Sequence, residues 1–332
     1  MLAIIIGGLA IILAIPGMLI AFLLAFVITY LFKPIITVFE RRGVSKTFAI
    51  LIPFIFGGLA FSAASQFVVN RVAEQTTSLE TDLPRYISGV STAMEKHTNT
   101  LSTALKPYTK VDIAERAGVW MKDSVSNIIK KIPEWVSTLL ATMILAPFFA
   151  FFMLKDGQRV SRRLLSLFPN NVFEMALNLT YQINKKLGGF IRARLFESVI
   201  VGIVVWLGLY ALGFPYTSIL AVFAGLTNLI PYLGPIIGAV PGIVIAYGNN
   251  NSFAPVALAI MVYVIAQLID MLFVIPFVVA KIVDLHPVTV VVVVIIGSQV
   301  MGIMGMIISV PLASILKLVF TEVYNHVVDF RS

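Results

Sequence analysis

The sequence predicts an all-α, polytopic membrane protein, because its apolar content is far above that of soluble domains. Of its 332 residues, 59% are hydrophobic and 12% are charged, whereas about 25% of the residues in soluble domains are charged. The mean hydropathy is +0.98. The apolar residues form continuous runs and do not alternate with polar ones as they do in the strands of an outer-membrane barrel. Several membrane-spanning helices are therefore expected.

The net charge of +8 is interpreted as a topology signal. Much of the basic surplus lies beside apolar runs, which is the pattern of cytoplasmic loops in membrane proteins, so no nucleic-acid partner is expected. The chain contains no cysteine. Disulfides and thiolate chemistry are therefore excluded.

The N-terminal part, residues 1–70, is predicted to contain transmembrane helices. Met1 to Phe32 is apolar throughout and would measure about 48 Å as one helix, against a hydrocarbon core of about 30 Å. Pro16-Gly17 divides this stretch into two short or tilted spans. Because no basic segment precedes it, we expect a retained anchor. The basic loop 33–47 is predicted to be cytoplasmic, and residues 47–70 then cross outward.

Residues 71–133 form the one long polar region, which is predicted to be an extracytoplasmic helical insertion. A long, near-neutral loop can be translocated regardless of its charge. Apolar residues recur in it at helical spacing, and Asp82 before Leu83-Pro84 suits a helix N-cap. Two interpretations stay open. The region forms a lid or partner-binding cap, or its helices rest on the membrane domain or on a neighbouring subunit.

Residues 134–154 are predicted to return to the cytoplasm as a transmembrane helix, followed by a basic cytoplasmic helical segment, 155–194. In the second segment the apolar residues face one way and the arginines face another. This pattern predicts an interfacial helix that contacts anionic membrane lipids through Arg159, Arg162 and Arg163.

The transmembrane core is predicted over residues 195–320, followed by a cytoplasmic tail, 321–332. It contains two apolar hairpins, 215–248 and 287–320. Each half of a hairpin is shorter than the roughly 20 residues that a spanning helix needs. We therefore expect pairs of half-helices, in the form of re-entrant hairpins.

Both hairpins contain helix-breaking residues at their centre. These are Pro231, Gly234 and Pro235 in the first hairpin, and Gly302 and Gly305 in the second. Irregular backbone at membrane depth is stable only where protein or a water-filled cavity satisfies its polar groups. The two bends are therefore predicted to act as hinges and to line a site or pathway.

The two hairpins follow similar sequences, which predicts an internal repeat. Pro215 opens the first hairpin and Pro287 opens the second. Upstream of each lies a span with an acidic residue, in Arg194-Leu195-Phe196-Glu197 and in Gln267-Leu268-Ile269-Asp270. The halves should be inverted relative to each other, since the first span runs outward and the second must return.

The motifs of common enzyme classes are absent. The sequence has neither the GxxxxGK[ST] phosphate loop nor HExxH, and its three histidines are far apart with no partners at metal-ligand spacing. Intramembrane proteolysis would require a second aspartate in mid-span beside Asp270. We therefore expect no enzyme activity, no catalytic residue, no metal site and no cofactor.

Asp270 is the main candidate for ion coupling, because it is predicted near the middle of a span. A carboxylate there costs about 2.5 to 3.5 kcal/mol on insertion scales, so it should face the protein interior. Gln267 lies one turn earlier on the same face. The alternative is a structural acid that holds two helices together.

Three further polar residues are candidates for the pathway. Glu197 could carry an ion, or could pair with Arg192 or Arg194 at the inner interface. Asn228 and Gln299 follow the glycines of the two hairpins. As neutral amides they could coordinate a cation or a hydroxylated solute, or tie half-helices together.

Several stretches carry a family resemblance. They are GFPYTSILAVFAGLTNLIPYLGPIIGAVPG, QLIDMLFVIPFVVAKIVDLHPVTV, GIMGMIISVPLASILK, KDGQRVSRRLLSLFP and AFLLAFVITYLFKPIITVFERRG. Together they resemble the autoinducer-2 exporter (AI-2E) family over nearly the whole chain except residues 71–133. Asp270 stands where many relatives are expected to have Glu, which keeps a carboxylate but shortens it.

The resemblance implies a secondary transporter of the inner (cytoplasmic) membrane. Some relatives resemble exporters of the quorum-sensing signal autoinducer-2, and others resemble Na⁺(Li⁺)/H⁺ antiporters. We expect export of a small polar solute driven by a proton or sodium gradient, and a homo-oligomer. A passive channel or lipid-facing conduit and a membrane scaffold are the remaining alternatives.

Overall fold

The computed structural model describes residues 18–105, 123, 127, 131, 142, 145–250, 253–272 and 285–329. Within these residues the chain forms helices and turns and no strand, so the all-α prediction is confirmed. The predicted split at Pro16-Gly17 lies outside them, as does most of 106–144. The helices are α1 (Met18–Arg41), α2 (Lys46–Leu105), α3 (145–165), α4 (Asn170–Ala211), α5 (Thr217–Thr227), α6 (Leu233–Asn250), α7 (Phe253–Ile269) and α8 (Pro287–Asp329).

Three stretches of helix in the described residues are long and apolar enough to cross a membrane: Met18–Arg41, Ala254–Leu272 and Pro287–Asn325. Their outward faces are also apolar, as a lipid environment requires. Large hydrophobic side chains that are exposed on several helices include Ile35, Phe56, Leu207, Ile265, Val300 and Phe320.

The helix α2 differs from the prediction. The sequence predicts an outward span that ends near Asn70 and a new helix that begins at Asp82, but α2 continues unbroken from Lys46 to Leu105. Asp82 is therefore not an N-cap. Its carboxylate instead accepts a hydrogen bond from the Tyr216 hydroxyl. Asp82 thus binds a residue that is distant in the sequence and does not cap its own helix. Sequence patterns alone do not anticipate such a contact.

The chain divides into two compact units. Unit 1 comprises Met1–Ala64, Val136–Leu195 and Pro276–Ser332, and unit 2 comprises Ser65–Trp135 and Phe196–Ile275. The long helices α2 and α4 each contribute one part to unit 1 and another part to unit 2.

In unit 1, α1 packs on the first part of α4 through polar contacts. The Tyr30 hydroxyl donates to Oδ1 of Asn184 at 2.9 Å, and Nη1 of Arg192 donates to the Tyr30 carbonyl at 3.1 Å. A Cβ atom at Gly188 would lie 3.0 Å from the Tyr30 ring. The glycine therefore permits the close approach of these two helices.

Helix α8, also in unit 1, is a hairpin with a short break. Met301 (φ −138°) and Gly302 (φ 61°) are not helical. The two halves fold back on each other so closely that a Cβ atom at Gly297 would lie 2.9 Å from Cβ of Ser309 and would clash with the Gly305 backbone. Gly302, one of the helix-breaking residues named from the sequence, lies in this break.

The first hairpin, in unit 2, is interrupted between the end of α5 at Thr227 and the start of α6 at Leu233. Pro231 lies in this break, whereas Gly234 and Pro235 lie inside the first turn of α6, where a missing N–H is tolerated. Like the second break, this one contains a residue with positive φ, Tyr232 at 63°. The inverted repeat and the re-entrant path of the hairpins stay predictions.

The positive φ at Tyr232 generates a stability prediction. A bulky side chain in left-handed backbone costs about 1–2 kcal/mol, and the Tyr232 side chain is 54% exposed, so replacing it loses little packing. We expect Tyr232→Gly to raise the unfolding midpoint of the detergent-solubilised protein. The control Tyr232→Ala removes the ring but keeps the strain, so equal midpoints for the two variants would contradict the account.

The second break predicts the opposite change. The backbone of Gly302 (φ 61°, ψ −140°) belongs to a region that only glycine occupies readily, and a Cβ atom there would meet nothing within 4 Å. Gly302→Ala should therefore lower the free energy of unfolding by about 1–3 kcal/mol through backbone strain alone. An unchanged unfolding midpoint would show that the turn relaxes without cost.

Candidate functional site

The second part of α4 and helix α5 meet at a contact between small residues. A Cβ atom at Gly225 would lie 3.0 Å from the Ser198 carbonyl oxygen and 3.4 Å from Cα of Gly202. The Ser198 hydroxyl donates to the Gly225 carbonyl at 2.6 Å, and Gly202 faces the Ala221 carbonyl. Residues further along α4 thus meet residues earlier in α5, so the two helices run antiparallel.

Helices α5 and α6 close onto each other at two further glycines. A Cβ atom at Gly238 would lie 3.0 Å from Cα of Ala224, and one at Gly234 would lie 2.8 Å from Cα of Asn228. No side chain fits at either position without a shift of backbone. The two glycines therefore allow α6 to begin directly against the end of α5.

The bend between α5 and α6 satisfies its own backbone. The Ile230 amide donates to the Thr227 carbonyl at 2.9 Å, Leu233 donates to Pro231 at 2.8 Å, and Gly234 donates to Ile230 at 2.9 Å. Tight turns thus replace the helical hydrogen bonds that the interruption removes. A bend of this kind can be stable away from water, which a site at membrane depth requires.

Helix α7 returns beside α6 and α4. A Cβ atom at Gly242 of α6 would lie 2.8 Å from the Tyr263 ring, and one at Gly208 of α4 would lie 3.0 Å from Cγ2 of Val262. Ala246 of α6 packs with Ala259 of α7 in a buried cluster. Because successive helices reverse direction from α4 to α7, α7 is antiparallel to both α6 and α4.

These contacts place Asp270 at the level of the bend. Tyr263 of α7 contacts Gly242 of α6. Because these two helices are antiparallel, Asp270, seven residues after Tyr263, lies level with Pro235, seven residues before Gly242. Val262 of α7 contacts Gly208 of α4. Because these helices are also antiparallel, Asp270, eight residues after Val262, lies level with Ile200, eight residues before Gly208. Glu197 is one turn from that position, about 4.5 Å along the helix axis. The two acids and the bend therefore occupy one layer of unit 2.

The polar residues of this layer are buried. Asp270, Glu197 and Asn228 each have 2% of their surface exposed, and Thr227 and Ser198 are buried as well. Buried carboxyl groups are rare in proteins and rarer in apolar spans, where they mark functional sites. The chain forms a π-helical turn over residues 270–272, a local distortion that frequently occurs at such sites.

The other predicted site residues are distributed over both units. Gln267 is half-buried one turn before Asp270 in unit 2, whereas Gln299 is exposed on α8 in unit 1. Arg192 donates to the Tyr30 carbonyl, and the Arg194 guanidinium lies 5.7 Å from the centre of the Phe190 ring. Arg159, Arg162 and Arg163 are exposed on α3 beside exposed apolar side chains, and their contact with anionic lipids stays a prediction. In the described part of the chain, no three His, Cys, Asp or Glu residues are arranged to hold a metal ion.

Sequence analysis missed the residues that hold the start of the first hairpin. Tyr216, the N-cap residue of α5, makes no side-chain cap. Instead, Oε1 of Gln75 in α2 accepts the amides of Ser218 at 3.0 Å and Ile219 at 3.1 Å. Asp82 binds the Tyr216 hydroxyl. A residue of the polar region thus caps a helix of the core.

The sequence does contain a signal for this contact. Val72, Leu79 and Tyr86 are buried and lie on one stripe of α2 with Gln75 and Asp82, at alternating spacings of three and four residues. Such a stripe is the packed face of a helix. Polar residues within it therefore indicate partners that are polar too.

Comparisons with known proteins agree on one family. The AI-2E family transporter profile matches residues 2–325. The "Putative transport protein YueF" of Bacillus subtilis is 27% identical over 317 residues, which cover 91% of this chain and 83% of the relative. The "Putative permease PerM" of Escherichia coli is 27% identical over 325 residues, covering 96% of this chain and 91% of the relative. A second Bacillus subtilis relative, "Putative transport protein YrrI", is 26% identical over 311 residues, with coverages of 92% and 86%.

The contact of Gln75 with α5 predicts a measurable loss of stability. Gln75→Leu keeps the approximate size but removes the acceptor of two amides at a helix N-terminus, which should cost about 1 kcal/mol or more. Gln75→Glu keeps the acceptor and should be tolerated. Thermal unfolding in detergent measures both. The matched control is Gln66→Leu, at an exposed position of the same helix, and equal midpoints for the two leucine variants would refute the capping role.

Proposed function

The chain belongs to the AI-2E family of transporters, and on that premise we propose that it is a secondary transporter of the inner membrane. It exports a small polar solute, such as autoinducer-2, in exchange for protons or sodium ions. The observation that carries this proposal is the burial of Asp270 at the level of the bend between α5 and α6. The chain is a multi-pass protein, and its curated relatives are named as transport proteins or permeases.

A buried carboxyl group is suited to ion coupling because it can be neutralised in two ways. Either a proton or a cation removes its charge, and the alternative of a bare carboxylate in an apolar interior is costly. Glu197 on the neighbouring level of α4 provides a second acid in the same layer. When Asp270 or Glu197 binds or releases a proton or a cation, the charge directly beside the bend changes.

The bend provides the element that can move. In transporters with broken helices, half-helices meet near the middle of the bilayer, and the substrate binds where their ends lie. Asn228 is at such an end. Its side chain is 2% exposed, and its Nδ2 donates no hydrogen bond within the part of the chain that the structure describes. A donor in this position favours a solute with hydroxyl or carbonyl oxygens as the cargo.

A Na⁺(Li⁺)/H⁺ antiporter is the second candidate function. Two acids in one buried layer, Glu197 and Asp270, could bind a cation and protons alternately without any organic solute. In that case Asn228 would coordinate the cation through its oxygen. The solute exporter is favoured because Nδ2 of Asn228 is a buried donor without a hydrogen-bond partner in the described part of the chain, and a donor binds a solute oxygen but not a cation.

Reconstitution into liposomes separates these functions. Vesicles are loaded with autoinducer-2 and an entrapped pH indicator, and a pH or sodium gradient is imposed in the presence and absence of the solute. The exporter shows saturable efflux that depends on the gradient. An antiporter changes internal pH on sodium addition without the solute, a passive channel shows flux without coupling, and a scaffold shows no flux.

Asp270→Asn tests the coupling residue. The substitution keeps the shape and hydrogen bonding of the side chain but removes its titration, so gradient-driven flux should fall to that of protein-free liposomes while the protein remains folded. Asp270→Glu should keep part of the flux. The matched control is Asp156→Asn, which neutralises an acid in contact with Arg159 at the surface and should transport normally.

A structural role for Asp270 predicts a different pattern. Asp270→Asn would then transport at nearly the wild-type rate, while Asp270→Leu would lose stability by removing a buried hydrogen-bonding group. Wild-type flux of the Asn variant with unchanged proton and sodium dependence would reject Asp270 as the coupling residue, and Glu197→Gln would be the next variant to measure.

A further inference from the structure

We propose that the face of α7 formed by Tyr263, Gln267 and Asp270 is a hydrated path that conducts protons to Asp270, with the Tyr263 hydroxyl as an intermediate station. The inference rests on the proposed function, since it assumes that Asp270 exchanges protons. It adds a residue, Tyr263, that neither the sequence motifs nor the site description assigned.

The three residues form the only polar surface of this helix. Between Phe253 and Leu272 every other side chain is apolar. The spacings from Tyr263 to Gln267 and from Gln267 to Asp270 are four and three residues, which place the three side chains on one face. This face is about 10 Å long along the helix axis.

The polar face of α7 points into the protein. The other faces of the helix are apolar. Tyr263 lies against Gly242 of α6, and Asp270 is buried. The remaining faces carry exposed apolar residues or pack in the core. The exposed ones include Leu258, Ile260, Met261, Val264, Ile265 and Leu268.

The Tyr263 hydroxyl is the observation that indicates water. Its oxygen is buried, yet it makes no hydrogen bond within the described residues. A buried hydroxyl without a partner costs about 1–3 kcal/mol, and proteins usually satisfy such groups with an ordered water. Phenylalanine would pack the same ring against Gly242 without this cost. We therefore infer that the hydroxyl binds water.

The position of Tyr263 indicates from which end of unit 2 protons reach Asp270. Gly248 of α6 is covered by Tyr86 of α2, with a Cβ atom at Gly248 only 2.8 Å from Cα of Tyr86. Tyr263 is level with Gly242, about 9 Å from Gly248 along the axis. Asp270 is about 10 Å further on in the same direction. Tyr263 thus lies midway between the end of the unit that α2 covers and the buried acid.

Few charged residues lie along this path in the helices that the structure describes. Helices α5, α6 and α7 contain no charged residue, and the part of α4 in unit 2 contains one, Glu197. The charged residues of α2 nearest to the covered end are Asp82 and Arg85. A proton that enters beside Tyr86 passes Asp82 and then meets Asp270 and Glu197, the acidic residues at the described inner end of α4 and α7 in unit 2.

Proton transfer along the path requires no other reactant. A hydronium ion on the side of Tyr86 gives a proton to the phenol oxygen and becomes water, as the phenol O–H gives its own proton to the next water, which becomes the new hydronium ion. Asp270 finally accepts a proton at its carboxylate oxygen and becomes a neutral carboxylic acid. Each O–H bond that breaks is matched by one that forms.

The path is tested first by cysteine accessibility, since the chain has no native cysteine. Tyr263→Cys and Gln267→Cys are made, with Ala266→Cys, a buried position off the polar face, as the matched control. Intact proteoliposomes are treated with the cationic reagent 2-(trimethylammonium)ethyl methanethiosulfonate. We expect modification at 263 and 267 and none at 266. If 263 and 267 are as unreactive as 266, the face is dry and the proposal is wrong. If Tyr263→Cys does not fold, the reactivity of Gln267→Cys alone decides whether the face is hydrated.

The second test concerns the hydroxyl itself. Tyr263→Phe keeps the ring against Gly242, so a packing role predicts an unchanged or more stable protein with normal flux. We expect proton uptake after a pH jump, followed with an entrapped indicator, to slow about tenfold, with the unfolding midpoint unchanged. Tyr247→Phe, at a half-buried tyrosine of α6, is the control. Wild-type proton uptake by Tyr263→Phe would remove Tyr263 from the path.

The two tests separate this inference from the proposed function. Thiol modification reports water at 263 and 267 whatever the protein transports. Reactive cysteines together with wild-type flux in Asp270→Asn would overturn the coupling role of Asp270, and with it proton delivery to that residue. Unreactive cysteines together with abolished flux in Asp270→Asn would overturn the path and leave the transporter proposal intact.

Discussion

The close contact between α5 and α6 at Gly234 and Gly238 is the constraint on which the candidate site depends. A helix that is interrupted inside an apolar environment must have its free amides and carbonyls enclosed by protein or water. Because α6 begins directly against the backbone of Thr227 and Asn228, the turns of the bend are enclosed and can bond to one another. Any side chain at these two glycines would force the half-helices apart.

The remaining contacts of unit 2 follow from this closure. Gly202 and Gly225 bring α4 against α5, and Gly208 and Gly242 bring α4 and α6 against α7. These contacts set the register of the four helices, and the register places Asp270 beside the bend. At the opposite end, α2 caps α5 through Gln75. Helix α5 is therefore held by a cap at its start and by the closed bend, where the site lies, at its end.

The sequence allowed prediction of the features that depend on local chemistry. Both helix interruptions were predicted from proline and glycine, and Asp270 and Asn228 were identified as polar residues in apolar surroundings, which the structure describes as buried. The cap from Gln75 could not be predicted in this way, since it joins residues that are 143 positions apart. For the same reason Asp82 was assigned to a local N-cap, and Tyr263 was not identified as a candidate. These roles depend on which helices become neighbours.

The central claim is that the carboxyl group of Asp270 takes up and releases a proton or exchanges it for a cation during transport. Infrared difference spectroscopy of the reconstituted protein measures this directly, by recording the carboxylic acid band before and after a pH jump or sodium addition. The account predicts a band change in the wild-type protein that is absent in Asp270→Asn and shifted in Asp270→Glu. An identical difference spectrum for the wild type and Asp270→Asn would contradict it.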